Sequence, residues 1–280
     1  MMFKLQRTTL VQILILVTGF GLLFFNTIRG LINDWSTDPN FSHGFLVPFI
    51  VLYMVWHKKE QLAVLSRRPA IGGLLLIVMG MLSHMAGTIG AELFVMRVSM
   101  VITLAGIVLY LCGSQIFTAL LAPLAYLIIM IPIPAIVWNK IAFPLQLFAA
   151  RLSADMINML GIPVFREGNI LRLAETSLEV VDACSGLRSL TSLLALSGVF
   201  AFIAPLGFWK KWILFFSAIP IAVVVNIMRL TATAVMATYI GPETAQGFLH
   251  EMSGILVFIV ALGLVYLVFI IESRIEKHRS

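Results

Sequence analysis

The segment Val180-Val181-Asp182-Ala183-Cys184-Ser185-Gly186-Leu187-Arg188 sets a thiol between an acid and a base at the edge of a long apolar run. A thiolate is a strong nucleophile, and it persists near neutral pH only in a positive environment. The first turn of a helix supplies one through its free N–H groups and partial positive charge. Asp182 or Ser185 could cap such a turn at Cys184. Two more residues have matching chemistry. His250 could hold the thiolate as an ion pair and later protonate a leaving amine. Arg229 could stabilise the oxyanion of a tetrahedral intermediate or clamp a substrate carboxylate. Each has a plainer role open to it: Cys184 as a small packing residue, Arg229 as a snorkelling anchor, His250 as half of a solvated pair with Glu251.

Whether these three meet depends on the elements that carry them. The chain has 280 residues, 60% apolar and 11% charged, far below the roughly 25% charge of a soluble domain. It reads as an all-α polytopic membrane protein. Uncharged runs long enough to cross a hydrocarbon core fall at about 10–32, 44–56 (short), 70–90, 94–112, 116–135, 188–207, 212–231 and 253–272, which makes eight spans. The first run lacks a small-residue cleavage site and reads as a retained helix.

The basic residues of the short loops orient the chain. With both termini on the cytoplasmic side, that side holds eleven of the nineteen Lys and Arg residues but three of the thirteen acids, a net +8 against −2 outside. The overall +6 therefore reflects membrane topology, and no motif redirects it towards nucleic acid. Counting about 20 residues outward from Lys211 leaves Arg229 at the outer boundary; the same count back from Arg274 brings His250 there, and from Lys210 it brings out Leu190, with Cys184 a turn or two above. Cys112 falls at the inner end of its span, so a bilayer separates the two cysteines and no disulfide joins them. Cys112 reads as a buried packing residue.

Between the fifth and sixth spans lies the longest non-spanning segment. Lys140, Arg151, Asp155 and Asn158 return to one helical face, with Leu, Phe, Ile and Met opposite, so 138–160 reads as an amphipathic helix in the outer interface. From Pro163 to Val181 short apolar runs alternate with turn residues, which predicts a small outer β-meander feeding into Cys184. Small residues in the later spans, Ser189, Ser192, Ala195, Ser197, Gly198 and Ala201, read as close helix packing. With no repeats or linkers, residues 1–280 read as one domain.

In order along the chain stand Ser42-His43-Gly44 followed by "FLVPFI" and Trp56, "IPIP" at 131–134, "PLQ" at 144–146, Gly161-Ile162-Pro163-Val164, "ACSGLRSL" at 183–190, "NIMR" at 226–229 and His250. This ordered set resembles the transmembrane exosortases of Gram-negative bacteria. The resemblance implies a cysteine protease or transpeptidase with Cys184 as nucleophile and Arg229 and His250 as its partners. It further implies substrates among exported proteins: a C-terminal Pro-Glu-Pro motif, one membrane helix and a basic tail, cleaved at the outer, periplasmic face of the inner membrane. Polysaccharide export and biofilm formation are the usual setting. Arg188, four residues after Cys184, is a candidate for binding the motif glutamate. The expected partners are that sorting signal and the lipid bilayer, with an amine on a glycan or lipid as a conceivable acceptor.

Other classes have specific requirements. A transporter needs ionisable groups near the midplane or paired broken helices in repeated halves, whereas here such groups cluster at the interfaces. A metal centre needs ligands close together; His43, His84 and His250 lie on different segments without ligand spacing, so no metal and no other cofactor is expected. A non-catalytic scaffold for polysaccharide export stays open, and it would need no reactive thiol.

Overall fold

The computed structural model describes residues 7–180, 187–241 and 248–277; of residues 7–10, 12–13, 187–189, 248–253 and 277 it describes the backbone only. The described chain is mostly helical with one small sheet, and it falls into two compact units, Met1–Pro132 and Ile133–Ser280.

The first unit contains α1 (Arg7–Leu23), α2 (Phe25–Thr37), a 3₁₀ turn (Ser42–Phe45), α3 (Val47–His57), α4 (Lys59–Val64), α5 (Gly72–Ile89), α6 (Leu93–Cys112), α7 (Ser114–Tyr126) and a second 3₁₀ turn (Leu127–Met130). Helices α5 and α6 approach closely because glycine recurs every seventh residue at Gly73, Gly80 and Gly87, all buried. A Cβ at Gly73 would strike the Tyr110 backbone, and one at Gly80 would strike Thr103. Gly106 answers from α6, where a Cβ would lie 2.7 Å from the Ile77 nitrogen. With no hydrophobic drive between helices in lipid, such backbone proximity supplies the packing.

On α2, Thr27, Leu31 and Trp35 recur at fours and form its buried stripe. The Trp35 indole N–H donates to the Met130 carbonyl at 2.9 Å and lies over Gly44, which no larger residue could replace. Beside it, His43 Nε2 lies 3.2 Å from the Ile129 carbonyl. The Ser42-His43-Gly44 stretch is thus held to the end of the unit directly by His43 at the Ile129 carbonyl, and indirectly by Trp35, which covers Gly44 and bonds the Met130 carbonyl. Next to α2's stripe, Arg97 of α6, 4% exposed, pairs with Asp34 at 2.7 Å.

The second unit contains α8 (Ala135–Met159), β1 (Phe165–Glu167), β2 (Ile170–Arg172), β3 (Ser177–Glu179), α9 (Leu187–Ile203), α10 (Phe208–Tyr239) and α11 (Phe248–Lys277). The strands form an antiparallel meander in the order β1-β2-β3, with Leu171 opposite Leu178. This is the meander expected between Pro163 and Val181. Its buried Leu171, Leu178 and Val180 pack with Ala150, Ala154 and Ile157 of α8 and Leu230, Ala234 and Ala237 of α10. Of the small residues expected to pack in α9, Ala195, Ser197 and Ala201 are buried, Ser192 and Gly198 are half-buried, and the Ser189 side chain lies outside the described residues; the Ser197 hydroxyl lies 3.2 Å from the Phe215 carbonyl of α10.

Four described helices are long and apolar enough to cross a membrane, Gly72–Ile89, Leu93–Cys112, Phe208–Tyr239 and Gly254–Glu276, or up to six if two bent pairs each count as one span. These four match the expected spans at 70–90, 94–112, 212–231 and 253–272. The count of eight is not reproduced. The expected span at 10–32 breaks at Phe24, with α1 and α2 at 67°. Those at 44–56 and 188–207 contain helices of 11 and 17 residues.

Two local expectations need correcting. Cys112 is half-buried, because it ends α6 just before Gly113, whose φ of +86° turns the chain away. The helix expected at 138–160 exists as α8, and Lys140, Arg151, Asp155 and Asn158 are exposed on one side of it. Its opposite side is not the large apolar set. Ala142, Gln146, Ala149, Ala150, Ser153, Ala154 and Ile157 are buried there, since small side chains let α8 lie close to α10.

Candidate functional site

Helices α10 and α11 run antiparallel. Near the start of α10, Lys210 pairs with Glu276 of α11 at 2.5 Å and lies 3.3 Å from the Glu272 carbonyl. Nineteen residues further along α10, about 28 Å at 1.5 Å per residue, Arg229 meets α11 again. A Cβ on Gly254 would sit 3.7 Å from Arg229 Nη2, so the guanidinium lies over that glycine. His250 is four residues earlier on α11, one turn away on the same face. Arg229 is therefore about one hydrocarbon thickness along α10 from the Lys210 end, and it is 8% exposed.

The apolar core of the second unit divides at this level. One cluster contains Ala142 of α8, Leu190 and Leu193 of α9, Ala218, Ala222 and Val225 of α10, and Ala261 and Val265 of α11. The other contains Ala150 and Ala154 of α8, Leu230 and Ala234 of α10, and the buried side of the meander through Val180. On α10 the two clusters are separated by Asn226 to Arg229, and on α8 by a stretch that includes buried Gln146. The larger buried polar side chains of this unit, Gln146, Asn226 and Arg229, thus fall where the two clusters part. Such groups are expensive in a membrane protein and are kept for function or for specific pairing.

Cys184 lies outside the described residues, so its geometry is not part of this picture. The backbone on either side of it is. Val180 belongs to the cluster with Leu230, and Leu190 belongs to the cluster with Val225. The two ends of the segment carrying the thiol are therefore anchored to α10 on opposite sides of Asn226–Arg229. Arg188 is the second residue of α9, and only its backbone is described. The same holds for His250, the third residue of α11.

One residue of this level was not singled out for chemistry by its sequence. Asn226 is 1% exposed, and neither its Oδ1 nor its Nδ2 has a hydrogen-bond partner. The available signal was a carboxamide one turn before Arg229, the one charged residue in the run from Trp212 to Tyr239.

In comparison with known protein families, the family model for transmembrane exosortases matches residues 35–267. Comparison with curated proteins and with solved structures finds no significant match.

Proposed function

This chain belongs to the transmembrane exosortase family, a family of multi-pass, cysteine-protease-like proteins that act in protein sorting, and on that premise we propose that it cleaves C-terminal Pro-Glu-Pro sorting signals of exported proteins. The reaction takes place at the periplasmic face of the inner membrane and serves polysaccharide export and biofilm formation. The observation that carries this reading is the arrangement around α10. The segment bearing Cys184 is anchored on both sides of Arg229, and the Arg229 guanidinium lies over Gly254, one turn from His250.

In this reading the Cys184 thiolate attacks the scissile carbonyl carbon. A C–S bond forms, the carbonyl π pair moves onto oxygen, and Arg229 stabilises that oxyanion. Collapse breaks the C–N bond, and His250 delivers its proton to the departing amine. The thioester then reacts with water, or with an amine on a glycan or lipid, and His250 takes the proton released. Arg188 pairs with the motif glutamate. No step calls for a metal or cofactor.

The test uses purified enzyme in a bilayer and a substrate carrying the motif and its membrane helix. Cys184→Ser conserves size but replaces the thiol by a far weaker nucleophile at neutral pH. It should abolish cleavage while the protein stays inserted. Full processing by Cys184→Ser or Cys184→Ala would falsify the assignment. Mass spectrometry of the new substrate C-terminus reads the second step: a free carboxylate means hydrolysis, an added mass means transfer.

A further inference from the structure

Among the described residues, Asn226 is the only buried side chain with two unpaired polar atoms, a carbonyl oxygen and an amide nitrogen. The others each leave a single atom, such as Thr27 Oγ1, His43 Nδ1 or Ser153 Oγ. An unpaired buried amide destabilises the protein that carries it. Among the described residues nothing offsets that cost, since neither Oδ1 nor Nδ2 is hydrogen-bonded. Its position is informative: three residues before Arg229 on α10, on the neighbouring part of the same face and about 4.5 Å deeper.

A carboxamide with both atoms free complements one peptide unit, accepting from an N–H and donating to a C=O. A substrate that leaves the bilayer at this level presents such groups. The first turn of its membrane helix has N–H groups without intrahelical partners, and the extended residues before it have both donors and acceptors. Where water is scarce these groups need partners from protein. We infer that Asn226 is a substrate-binding residue that holds the backbone of the sorting signal beside the scissile bond, through Oδ1 and Nδ2 together. The inference rests on the proteolytic reading above. Arg229 then has the developing oxyanion to itself, and Asn226 fixes which carbonyl is brought to it.

The experiment is Asn226→Leu, nearly the same size and apolar, with Asn226→Ala beside it. Because the amide is unpaired in the free enzyme, Asn226→Leu should insert normally and unfold at a temperature no lower than wild type. Its kcat/KM should fall about 10- to 100-fold, mostly through KM, as two lost hydrogen bonds imply. A second readout tests the backbone contact. Substrates in which one backbone N–H near the scissile bond is replaced by an ester oxygen, one position at a time, should include one that costs wild type about tenfold and costs the Asn226 variants nothing further. Esters that cost wild type and variants equally overturn the inference, and so does loss of stability in both variants. Wild-type turnover that matches Cys184→Ala sinks the proteolytic reading and this inference with it. Normal wild-type cleavage with unimpaired Asn226→Leu sinks this inference alone.

Discussion

Each unit buries an arginine, and the two are held in different ways. Arg97 of the first unit lies beside α2, and its guanidinium bonds the Asp34 carboxylate at 2.7 Å. The surrounding helices pack through glycines so closely that no open polar space remains at Gly73, Gly80 or Gly106. Both guanidiniums lie over a glycine, Arg97 over Gly30 and Arg229 over Gly254, but Arg229 stands one turn from the unpaired Asn226 amide, at the break between two apolar clusters. A buried cation matched by a carboxylate within its own unit serves the fold. In the proteolytic reading, the Arg229 guanidinium beside the Asn226 amide serves the substrate instead. Sequence alone singled out Arg229 for chemistry and passed over Arg97, although any ionisable residue in a membrane segment begins as a functional candidate.

The largest expected effect separates them by stability. Arg97→Ala leaves the Asp34 carboxylate without its buried partner and should destabilise the first unit by about 3 kcal/mol, towards the low end because Asp34 keeps 32% side-chain exposure. Thermal unfolding in detergent reads this, and Arg97→Met with Asp34→Leu should recover much of the loss. Cleavage per folded molecule should be unchanged. Normal stability with lost cleavage in Arg97→Ala would erase the distinction between the two arginines.

Arg229→Lys comes next and should act the other way. It keeps the charge but loses the planar fork, so kcat should fall by about 10²- to 10³-fold, the usual loss on removing one oxyanion donor. Unfolding temperature should move less than in Arg97→Ala. A variant that unfolds early and cleaves normally would make Arg229 a structural anchor like its counterpart.

The same contrast shows what the sequence could reveal. The meander was legible because Val164-Phe165, Ile170–Leu173 and Leu178–Val181 are divided by turn residues, and strand period and turn chemistry are local properties. The four full-length spans were legible from apolar length. The break at Phe24 was not, since neither proline nor a charge marks it. The buried side of α8 was missed for a different reason. Hydropathy contrasts charged with large apolar residues, whereas Ala142, Ala149, Ala150, Ser153 and Ala154 are buried for their size. At the site, depth counting placed Arg229 and His250 near one level, but it could not tell that Arg97 has Asp34 and that Asn226 has nothing. Partnership is a tertiary property.

A smaller effect concerns His250. If it forms an ion pair with Cys184, its folded environment lowers the thiol pKa, and His250→Ala should raise it towards the unperturbed value of about 8.5. Alkylation of Cys184 at pH 7 should then slow by roughly tenfold or less and recover as the pH rises. An unchanged alkylation profile with lost turnover would restrict His250 to protonating the leaving group, and would sharpen the division of labour with Arg229.

The smallest effect should come from Arg188, and it tests whether the site has a second arginine with a duty of its own. Arg188 stands in the first turn of α9, where a cation opposes the partial positive charge of the helix N-terminus. That placement costs the fold a few tenths of a kcal/mol, which a recognition role would explain and a structural one would not. Arg188→Ala should raise KM by about tenfold, the worth of one charge-assisted hydrogen bond, and leave kcat near wild type. Replacing the motif glutamate by glutamine should cost wild type a similar factor and cost Arg188→Ala almost nothing, because the pair is already broken. If Arg229→Ala is instead the variant that stops distinguishing glutamate from glutamine, the two arginines exchange duties. Arg229 would then clamp the substrate carboxylate, and oxyanion stabilisation would pass to backbone N–H groups at the start of α9.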